Sequence, residues 1–425
     1  MNRFLDIRSY LYSLSFTFRA LKSRNFRLFF FAGLVSLMGT WIQNIAIGWM
    51  VYRITDSAFY LGMVGFAGLI PALFLTPIAG VYADRLNRRR MLVITQTIPM
   101  LLAFLLASLA YTDSIHIGVL LVIVTINGFA LAFDTPFRHA FLHDMIGDKS
   151  LLPNAVALNS TLVNTARFLG PTIGGFLIAF FGEAFCFLLN GISFIGVIIA
   201  LMAMQIAPHI QKPAKGRIWS DLREGFSYTF NFLPARYMIL LVMLTSLLSL
   251  PFQGFLPVFA RDILNGDSQL LGFLTGAVGA GALTGAFFLA TRESVRRLPS
   301  VIRFSALLFS VGLTIFSFST NTAFSLIVLY FSGFGMIAQF VATNAILQTV
   351  VPDDKKGRVL SFYSMSFMGF TPLGSLLLGI ISGWIGVPYT FSLAGLVLLG
   401  AALLFSAKVE RIKQLLLAQA SDKEG

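Results

Sequence analysis

The chain has 425 residues, of which 57% are hydrophobic and 12% are charged, and its mean hydropathy is +0.82. One soluble core cannot hide this much apolar surface, so the composition excludes an ordinary soluble globular protein and points to the lipid bilayer. The net charge of +13 would suggest nucleic-acid binding in a soluble protein, but the basic residues follow membrane topology, and we expect no nucleic-acid partner.

Apolar runs of about twenty residues, the length that spans a bilayer, recur along the whole chain. Twelve are predicted as spans 1 to 12, at 28–52, 59–82, 91–112, 115–134, 155–181, 184–205, 237–260, 270–291, 300–320, 322–345, 359–383 and 386–407. Alternating β-barrel patterning is absent, and membrane helices tolerate the Gly and Pro residues inside these runs. We therefore predict an all-α membrane protein.

The two sets of six spans carry traces of an internal repeat. A shift of 210 residues aligns Gly62 with Gly272, and a shift of 205 aligns Gly128 with Gly333. Such repeats are typical of transporters built from two related six-helix bundles. The predicted regions are a cytoplasmic amphipathic segment 1–27, a first bundle 28–206, a cytoplasmic central loop 207–236 with a surface helix at 219–230, a second bundle 237–407 and a cytoplasmic tail 408–425.

Almost all Lys and Arg residues fall on one face of this arrangement, which sets the expected orientation because basic loops stay in the cytoplasm. The opposite face keeps only Arg53 and Arg261. The basic residues assigned to the cytoplasmic face are Arg3, Arg8, Arg19, Lys22, Arg24, Arg27, Arg85, Arg88, Arg89, Arg90, Arg138, Lys149, Lys212, Lys215, Arg217, Arg223, Arg236, Arg292, Arg296, Arg297, Arg303, Lys355, Lys356, Arg358, Lys408, Arg411, Lys413 and Lys423. We predict a multi-pass protein of a bacterial inner membrane with both termini in the cytoplasm.

A dense polar segment, Gly80-x-x-x-Asp84-Arg85-x-x-Arg88-Arg89, lies between spans 2 and 3. Charges beside hydrocarbon are costly, so these side chains are expected to face protein or water and to have a role there. Asp84 can meet the positive N-terminus of a facing helix and pair with Arg138 or Arg85, which would latch the cytoplasmic side. Alternatively, the arginines after Asp84 anchor the loop to anionic lipid headgroups.

A second motif, Ala166-x-x-x-Gly170-Pro171-x-x-Gly174-Gly175, lies in span 5 at the spacing that lets helix backbones approach closely. Its counterpart is a glycine-rich span 8, and spans 2 and 11 are also rich in glycine. Ordinary helix packing would explain the glycines, but Pro171 favours a functional bend.

Together the two motifs resemble the signatures of the major facilitator superfamily, with Asn87 in place of a usual Gly and Ala166 in place of another. Asn is a mild departure because it also tolerates a left-handed turn. The segments Asn25-Phe-Arg27, the expected turn Asp134-Thr-Pro-Phe-Arg138 and Asn164-Thr-Ala-Arg167 are similar to the enterobactin-exporter branch. The resemblance implies that span 2 faces span 11 in a cytoplasmic gate, and that the two bundles rock at the span-5 motif.

Polar side chains inside the spans are candidates for a substrate cavity. Arg167 is the strongest, because a cation deep in a membrane is costly unless it is paired or hydrated. A structural pairing with Glu183 or with a backbone carbonyl is the alternative. The weaker candidates, which often only bridge helices, are Gln43, Asn44, Asn127, Asn164 and Gln253.

No Asp or Glu lies at the centre of a predicted span, so the usual embedded proton carrier is missing. Asp134 is the best substitute, with Asp84 behind it. The repeat shifts map Asp134 to Gln339 and Arg138 to Thr343, so any proton coupling is expected in the first half.

The sequence supports an enzymatic function less well than a transport function. His139 and Asp144 have the spacing of some membrane acyltransferases, and His139 with His143 has a metal-ligand spacing, but no third ligand is evident. The lone Cys186 excludes a cysteine metal cluster, and we expect no metal or cofactor. We predict a monomeric, proton-driven exporter of a siderophore-like or amphipathic aromatic molecule, with multidrug efflux, lysophospholipid flipping and a non-transporting receptor as alternatives.

Overall fold

The computed structural model describes residues 18–83, 85–146, 148–206, 227, 229–291 and 297–424, without the side chains of residues 149, 353, 354 and 417–424. Residues 1–17, Asp84 and most of the predicted central loop, including most of its surface helix, lie outside this part of the chain. The described residues are almost entirely helical.

The first half of the chain starts with a short 3₁₀ turn at Arg19–Lys22. The helices that follow are α1 at Arg24–Thr55, α2 at Ala58–Ala83, α3 at Arg88–Tyr111, α4 at Ile117–Met145 and a long segment at Leu152–Ala203. This long segment is interrupted at Gly182, whose φ of 79° and ψ of 172° are not helical and are accessible essentially to glycine alone. We name its two parts α5, residues 152–181, and α6, residues 183–203.

The second half contains α7 at Leu233–Ile263, α8 at Ser268–Ala290, α9 at Leu298–Phe316, α10 at Thr322–Val350, α11 at Asp353–Ile385 and α12 at Val387–Glu424. α7 is irregular, because a 3₁₀ stretch at Leu250–Phe255 and a π turn at Phe259–Ile263 follow its first α-helical part. Pro251 and Pro257 each remove a backbone donor there. α12 extends through the region predicted as a separate tail.

Eleven segments of the described chain, with Leu152–Ala203 taken as one, are long and apolar enough to cross a membrane. Many large apolar side chains on them point outward, among them Phe74 at 66% exposure and Leu404 at 71%. Water does not tolerate a surface of this kind over a whole molecule, whereas lipid does. The chain is therefore a multi-pass membrane protein.

The predicted turn at residues 134–138 is wrong, because α4 continues without a break to Met145 and contains Pro136. A proline inside a membrane helix removes only one backbone hydrogen bond, which neighbouring groups can compensate. The continuous helix places Asp134 and Arg138 on the same face, one turn apart.

Contacts define two ends of the molecule. At the proximal end, where α1 begins, Ala20 N donates to Asn154 Oδ1 over 2.9 Å and Asn25 Nδ2 donates to the Gln205 carbonyl over 2.7 Å. At the distal end, where α1 finishes, Arg53 Nε lies 2.8 Å from Glu183 Oε1. The chain thus leaves the proximal end at the start of α5, reverses at Gly182 and returns along α6.

Most helix contacts stay within one half of the chain, and the extensive contacts between the halves are those of α5 with α8 and of α2 with α11. Both crossings are close at their distal parts. A Cβ at Gly175 would lie 2.5 Å from the Ser268 carbonyl oxygen, and a Cβ at Gly62 would lie 2.3 Å from the Ser375 carbonyl oxygen. Only glycine permits backbones to approach this closely.

The internal repeat has a counterpart in these contacts. Gly128 on α4 packs on the Gly68 carbonyl, and Gly333 on α10 packs on the Val278 carbonyl. Gly68 and Val278 are 210 residues apart, the same shift that relates Gly62 to Gly272 in the sequence. Equivalent positions in the two halves therefore make equivalent helix contacts.

Candidate functional site

Arg88 is the structural centre of the polar segment between α2 and α3. Its side chain is only 8% exposed. Arg88 Nε donates to the Ala83 carbonyl at 2.9 Å, and its Nη1 donates to Asp144 Oδ1 at 2.9 Å and to the Ala140 carbonyl at 3.3 Å. The guanidinium thus joins the ends of α2 and α4 to the start of α3. For Arg88 the lipid-headgroup alternative is wrong, because the side chain is enclosed by protein.

The neighbouring residues of this segment have different surroundings. Arg89 Nη2 donates to the Met202 carbonyl at the end of α6, whereas Arg85 is exposed. A Cβ at Gly80 would meet no atom within 4 Å. Asp84, the residue on which the gate prediction depends most, lies outside the described residues, so its pairing stays a prediction.

Asn87 has a role that the sequence reasoning missed. Its φ of −67° and ψ of 107° are extended, so it does not form the left-handed turn that we considered. Its side-chain oxygen instead accepts a hydrogen bond from Arg90 N at 3.0 Å and caps α3. Asparagine is among the preferred residues at that position, which explains why it can stand in for the usual glycine.

Asp134 and Arg138 form one polar cluster with two side chains of α3. Asp134 Oδ2 is 2.9 Å from Arg138 Nε, while its Oδ1 accepts from Thr95 Oγ1 at 2.9 Å and from Gln96 Nε2 at 2.6 Å. The carboxylate is almost fully buried, and the Arg138 guanidinium also lies over the Phe29 ring at 5.7 Å. The structure thus unites the main proton-coupling candidate with a residue predicted for the gate, in the proximal part of the first half.

The span-5 motif contacts two different helices. Gly170 and Gly174 pack against α1, near Trp41 and Ile42, within the first half. Gly175 faces α8 in the second half, and the Pro171 carbonyl lies 3.0 Å from the position of a Cβ at Gly272. The motif therefore packs on α1 in its own half through Gly170 and Gly174, and on α8 in the other half through Gly175.

Four of the weaker cavity candidates differ in their surroundings. Gln43 is buried and accepts a hydrogen bond from Asn190 Nδ2 at 2.9 Å, so it bridges α1 and α6 inside the first half. Asn44 is exposed and Asn127 is half-buried. Gln253 is half-buried in the irregular part of α7, where its Nε2 lies 3.9 Å from Met336 Sδ.

Arg167 lies on α5 near the crossing with α8. Its guanidinium stacks over the Trp41 ring at 5.5 Å, and its Nε is enclosed without a hydrogen-bond partner. The pairing with Glu183 that we considered is wrong, because Glu183 is bound by Arg53 at the distal end. Asn164, one turn earlier, donates to its own helix at the Ser160 carbonyl over 2.9 Å.

A distal cluster that the sequence did not predict connects the two halves. Tyr52 on α1 donates its hydroxyl to Asp262 on α7, and Arg261 Nη1 lies 2.7 Å from Asp56 Oδ1. The Arg261 guanidinium also stacks over the Tyr52 ring at 5.4 Å. We call these four residues the distal latch. The sequence did contain one indication of this cluster, because Arg261 is one of only two basic residues assigned to the non-cytoplasmic face.

Residues 15–422 match the model of the family described as transmembrane secretion effector, a group of major facilitator proteins. The chain belongs to this family. The superfamily resemblance read from the two motifs is thereby confirmed.

Relatives of this secretion-effector chain are membrane transporters. The staphyloferrin A transporter of Staphylococcus aureus is 28% identical over 87% of this chain and 92% of its own length. The multidrug efflux pump Tap of Mycolicibacterium fortuitum is 25% identical over 91% of this chain and 96% of its own length. The chain is therefore a transport protein and not an enzyme.

Solved structures agree on the fold of this family member. A bacterial homologue of the lysosomal transporter Spinster, inward-facing and unoccupied, has a TM-score of 0.70 at 12% identity, covering 93% of this chain and 98% of that chain. A bacterial homologue of the iron transporter ferroportin, also inward-facing, has a TM-score of 0.68 at 15% identity, covering 92% of this chain and 98% of that chain.

The acyltransferase reading also fails on local geometry. Asp144, which would have to serve as the acid or base beside His139, is engaged by Arg88. The described residues hold no group of three or more His, Cys, Asp or Glu side chains that could bind a metal ion.

Proposed function

We propose that this protein is an alternating-access exporter of a bacterial inner membrane, with twelve crossings in two six-helix bundles and both termini in the cytoplasm. The reversal at Gly182 supports separate crossings for α5 and α6, because one straight helix of 52 residues would be about twice as long as a bilayer is thick. The equivalent contacts at Gly128 and Gly333 support two related bundles.

One observation carries the proposal: the close contacts that the described glycines make between the halves lie midway along the molecule and at its distal end, and Gly80 and Gly357 at the proximal end make none. Gly62 and Gly175 touch backbone of the other half, and the distal latch adds a hydrogen bond and an ion pair. At the proximal end, a Cβ at Gly80 on α2 or at Gly357 on α11 would meet nothing within 4 Å. With the proximal end in the cytoplasm, this is a state that receives cargo from inside the cell.

In the opposite state the proximal end closes. We assign that closure to Gly80, Asp84, Arg85, Arg88, Arg89 and Arg138, with Asp84 as the residue that meets α11. Gly170, Pro171, Gly174 and Gly175 form the surface on which α5 tilts against α8. Asp134, with Asp84 second, is the proposed proton carrier for antiport.

The proposed cargo is a siderophore-like molecule, by analogy with the staphyloferrin A transporter. Multidrug efflux is the second candidate, because the Tap pumps match over a similar share of the chain. Lysophospholipid flipping is the third.

Everted membrane vesicles test this proposal. We expect saturable uptake of a catecholate or a citrate-based siderophore into vesicles that hold the full chain, and loss of that uptake when a protonophore collapses the proton gradient. Ethidium and a labelled lysophospholipid are tested in parallel to separate the three cargo classes. Uptake of none of them above empty vesicles would overturn the exporter proposal.

Asp84→Asn should abolish net uptake while the protein still inserts, because the proximal gate can no longer close. Asp113→Asn is the matched control, since Asp113 carries the same group in an exposed turn at the other end of the molecule. Full uptake by the Asp84 variant would contradict its role as a gate.

A further inference from the structure

Arg167 is a cation without a counter-ion. Its guanidinium makes no hydrogen bond and no ion pair with any described residue, and its Nε is closed off from solvent. The residue as a whole is half-buried, and its other two guanidinium nitrogens are not among the enclosed atoms that lack a partner. A guanidinium in a membrane protein is costly unless something neutralises it.

The acidic side chains of the described helices are committed elsewhere. Those engaged by Arg or Tyr are Asp56, Asp134, Asp144, Glu183 and Asp262. Asp267 is used as the N-cap of α8, and Glu410 pairs with Lys413 on α12. The described residues therefore supply a counter-ion for Arg53, Arg88, Arg138 and Arg261, but none for Arg167.

Trp41 is the aromatic neighbour of the Arg167 guanidinium. The guanidinium carbon lies over the Trp41 ring at 5.5 Å from its centroid, and the Trp41 side chain is itself packed tightly on Gly170, where an added Cβ would come within 2.6 Å of it. A guanidinium carries its donors in a planar fork, which suits the two oxygens of a carboxylate. The Trp41 ring also gives a flat apolar surface beside that position.

Arg167 also lies at the crossing between the halves. A Cβ at Gly279 on α8 would lie 2.9 Å from the Arg167 carbonyl oxygen and 2.8 Å from Phe168 Cα. A ligand bound to Arg167 therefore sits beside a contact that changes when the halves rock. Binding there can favour one arrangement of α5 and α8 over another.

We propose that Arg167 is the anion-binding residue of the substrate site and that the exported molecule carries a carboxylate or a similar oxyanion next to a planar group. This inference rests on the proposed function, whose cargo it narrows to organic anions. The substrate supplies the missing counter-ion, and the apolar surface of the Trp41 side chain lies beside that position for the planar part of the molecule.

Ligand-induced thermal stabilisation of the purified full chain in detergent tests the inference without any transport step. The probes are benzoate and its neutral analogue benzamide, together with citrate as an anion without a ring. We expect benzoate to bind about tenfold more tightly than benzamide, and citrate to stabilise less than benzoate.

Arg167→Gln should remove the preference for benzoate, and Arg167→Lys should keep part of it, because a point charge attracts the anion without the paired geometry. Arg53→Gln is the matched control, since it removes an arginine that already has its own counter-ion. Should the Gln variant not fold, the two ring probes on the unchanged chain still test the preference for the anion, and Arg167→Lys still tests whether that preference depends on Arg167.

Equal stabilisation by benzoate and benzamide, stabilisation by neither, or an unchanged preference in Arg167→Gln would overturn the inference. These outcomes are distinct from failure of the exporter proposal. A benzoate preference that depends on Arg167 with no uptake into everted vesicles would retain the anion site and reject export. Uptake that is the same for charged and neutral substrates would retain export and reject the anion site.

Discussion

The two halves of the molecule carry different chemistry at the same place in the fold. In the first half, Asp134 binds Arg138, Thr95 and Gln96, all within 2.9 Å. In the second half, the repeat shift of 205 places Gln339 at the position of Asp134. Gln339 is fully buried and donates to Thr245 Oγ1 at 2.9 Å.

The rest of the second-half site is neutral as well. Thr343 corresponds to Arg138 and Ser305 to Thr95, and both hydroxyls are fully buried without a hydrogen-bond partner among the described residues. Helix packing at this position therefore does not need charge. Since a buried ion pair seldom adds stability over neutral packing, the Asp134–Arg138 pair is best explained by a task that neutral residues cannot perform.

Asp134→Asn should have the largest effect, because it removes the charge that distinguishes the two halves. Removing one partner of a mostly buried pair costs on the order of 3 kcal/mol, since Arg138 is left without its counter-ion. We expect a lower unfolding temperature in detergent and the loss of proton-driven uptake.

The double change Asp134→Gln with Arg138→Thr is the matched control, since it copies the second-half pair into the first half. It should be more stable than the single variant but equally inactive. Proton-dependent uptake by the double variant would mean that the charged cluster is not the coupling site.

Gly62→Ala and Gly175→Ala should have intermediate and similar effects, because each lies in the first half at one of the two close crossings to the second half. Each new methyl group would meet a backbone oxygen within 2.5 Å, and overpacking of this kind costs about 1–3 kcal/mol. The distal end should open, as measured by spin-label distances between Thr112→Cys and Thr322→Cys in a Cys186→Ala background.

Gly80→Ala is the control for these glycine changes, since nothing lies near its Cβ position. A large effect of one glycine variant and none of the other would show that only one of the two crossings keeps the distal end closed.

Tyr52→Phe and Arg261→Ala should have the smallest effects. The side chains of Arg261 and Asp56 are 40% and 70% exposed, and pairs of this kind contribute about 0–1 kcal/mol. We expect up to about a fivefold larger population with the distal end open, measured with the same label pair.

Arg53→Ala serves as the control for the distal latch, because it breaks an ion pair at the same end that lies within one half. An equal shift in the Arg53 variant would argue against a latch between the halves.

The sequence predicted the helices well, because each span is a long apolar run bounded by charge or turn residues. It misjudged Pro136, since propensity alone cannot tell that neighbouring helices satisfy the backbone in lipid. It also assigned Gln43 to the cavity, although Asn190, a partner 147 positions away, turns it into a bridge between helices. Periodicity identifies an apolar face but not the partner of a polar residue.

The distal latch was missed for a related reason. Asp56 and Asp262 follow apolar runs in different halves of the sequence, so nothing local indicates that they share a site. The asymmetry of charge between the halves, by contrast, could be read directly from the repeat shift. The sequence alone shows which residues occupy equivalent positions in the two halves. It does not show which residues far apart in the sequence lie close together in space.

The break at Gly182 has a mechanical consequence. α5 and α6 are joined by one residue, so no loop lies between them to absorb a tilt. α5 rests on α8 in the other half, and α6 rests on α3, which carries Thr95 and Gln96 and whose Arg89 reaches the Met202 carbonyl. We therefore expect a tilt of α5 against the opposite bundle to pass directly to α6, and from there to the helix whose Thr95 and Gln96 donate to the buried Asp134 carboxylate.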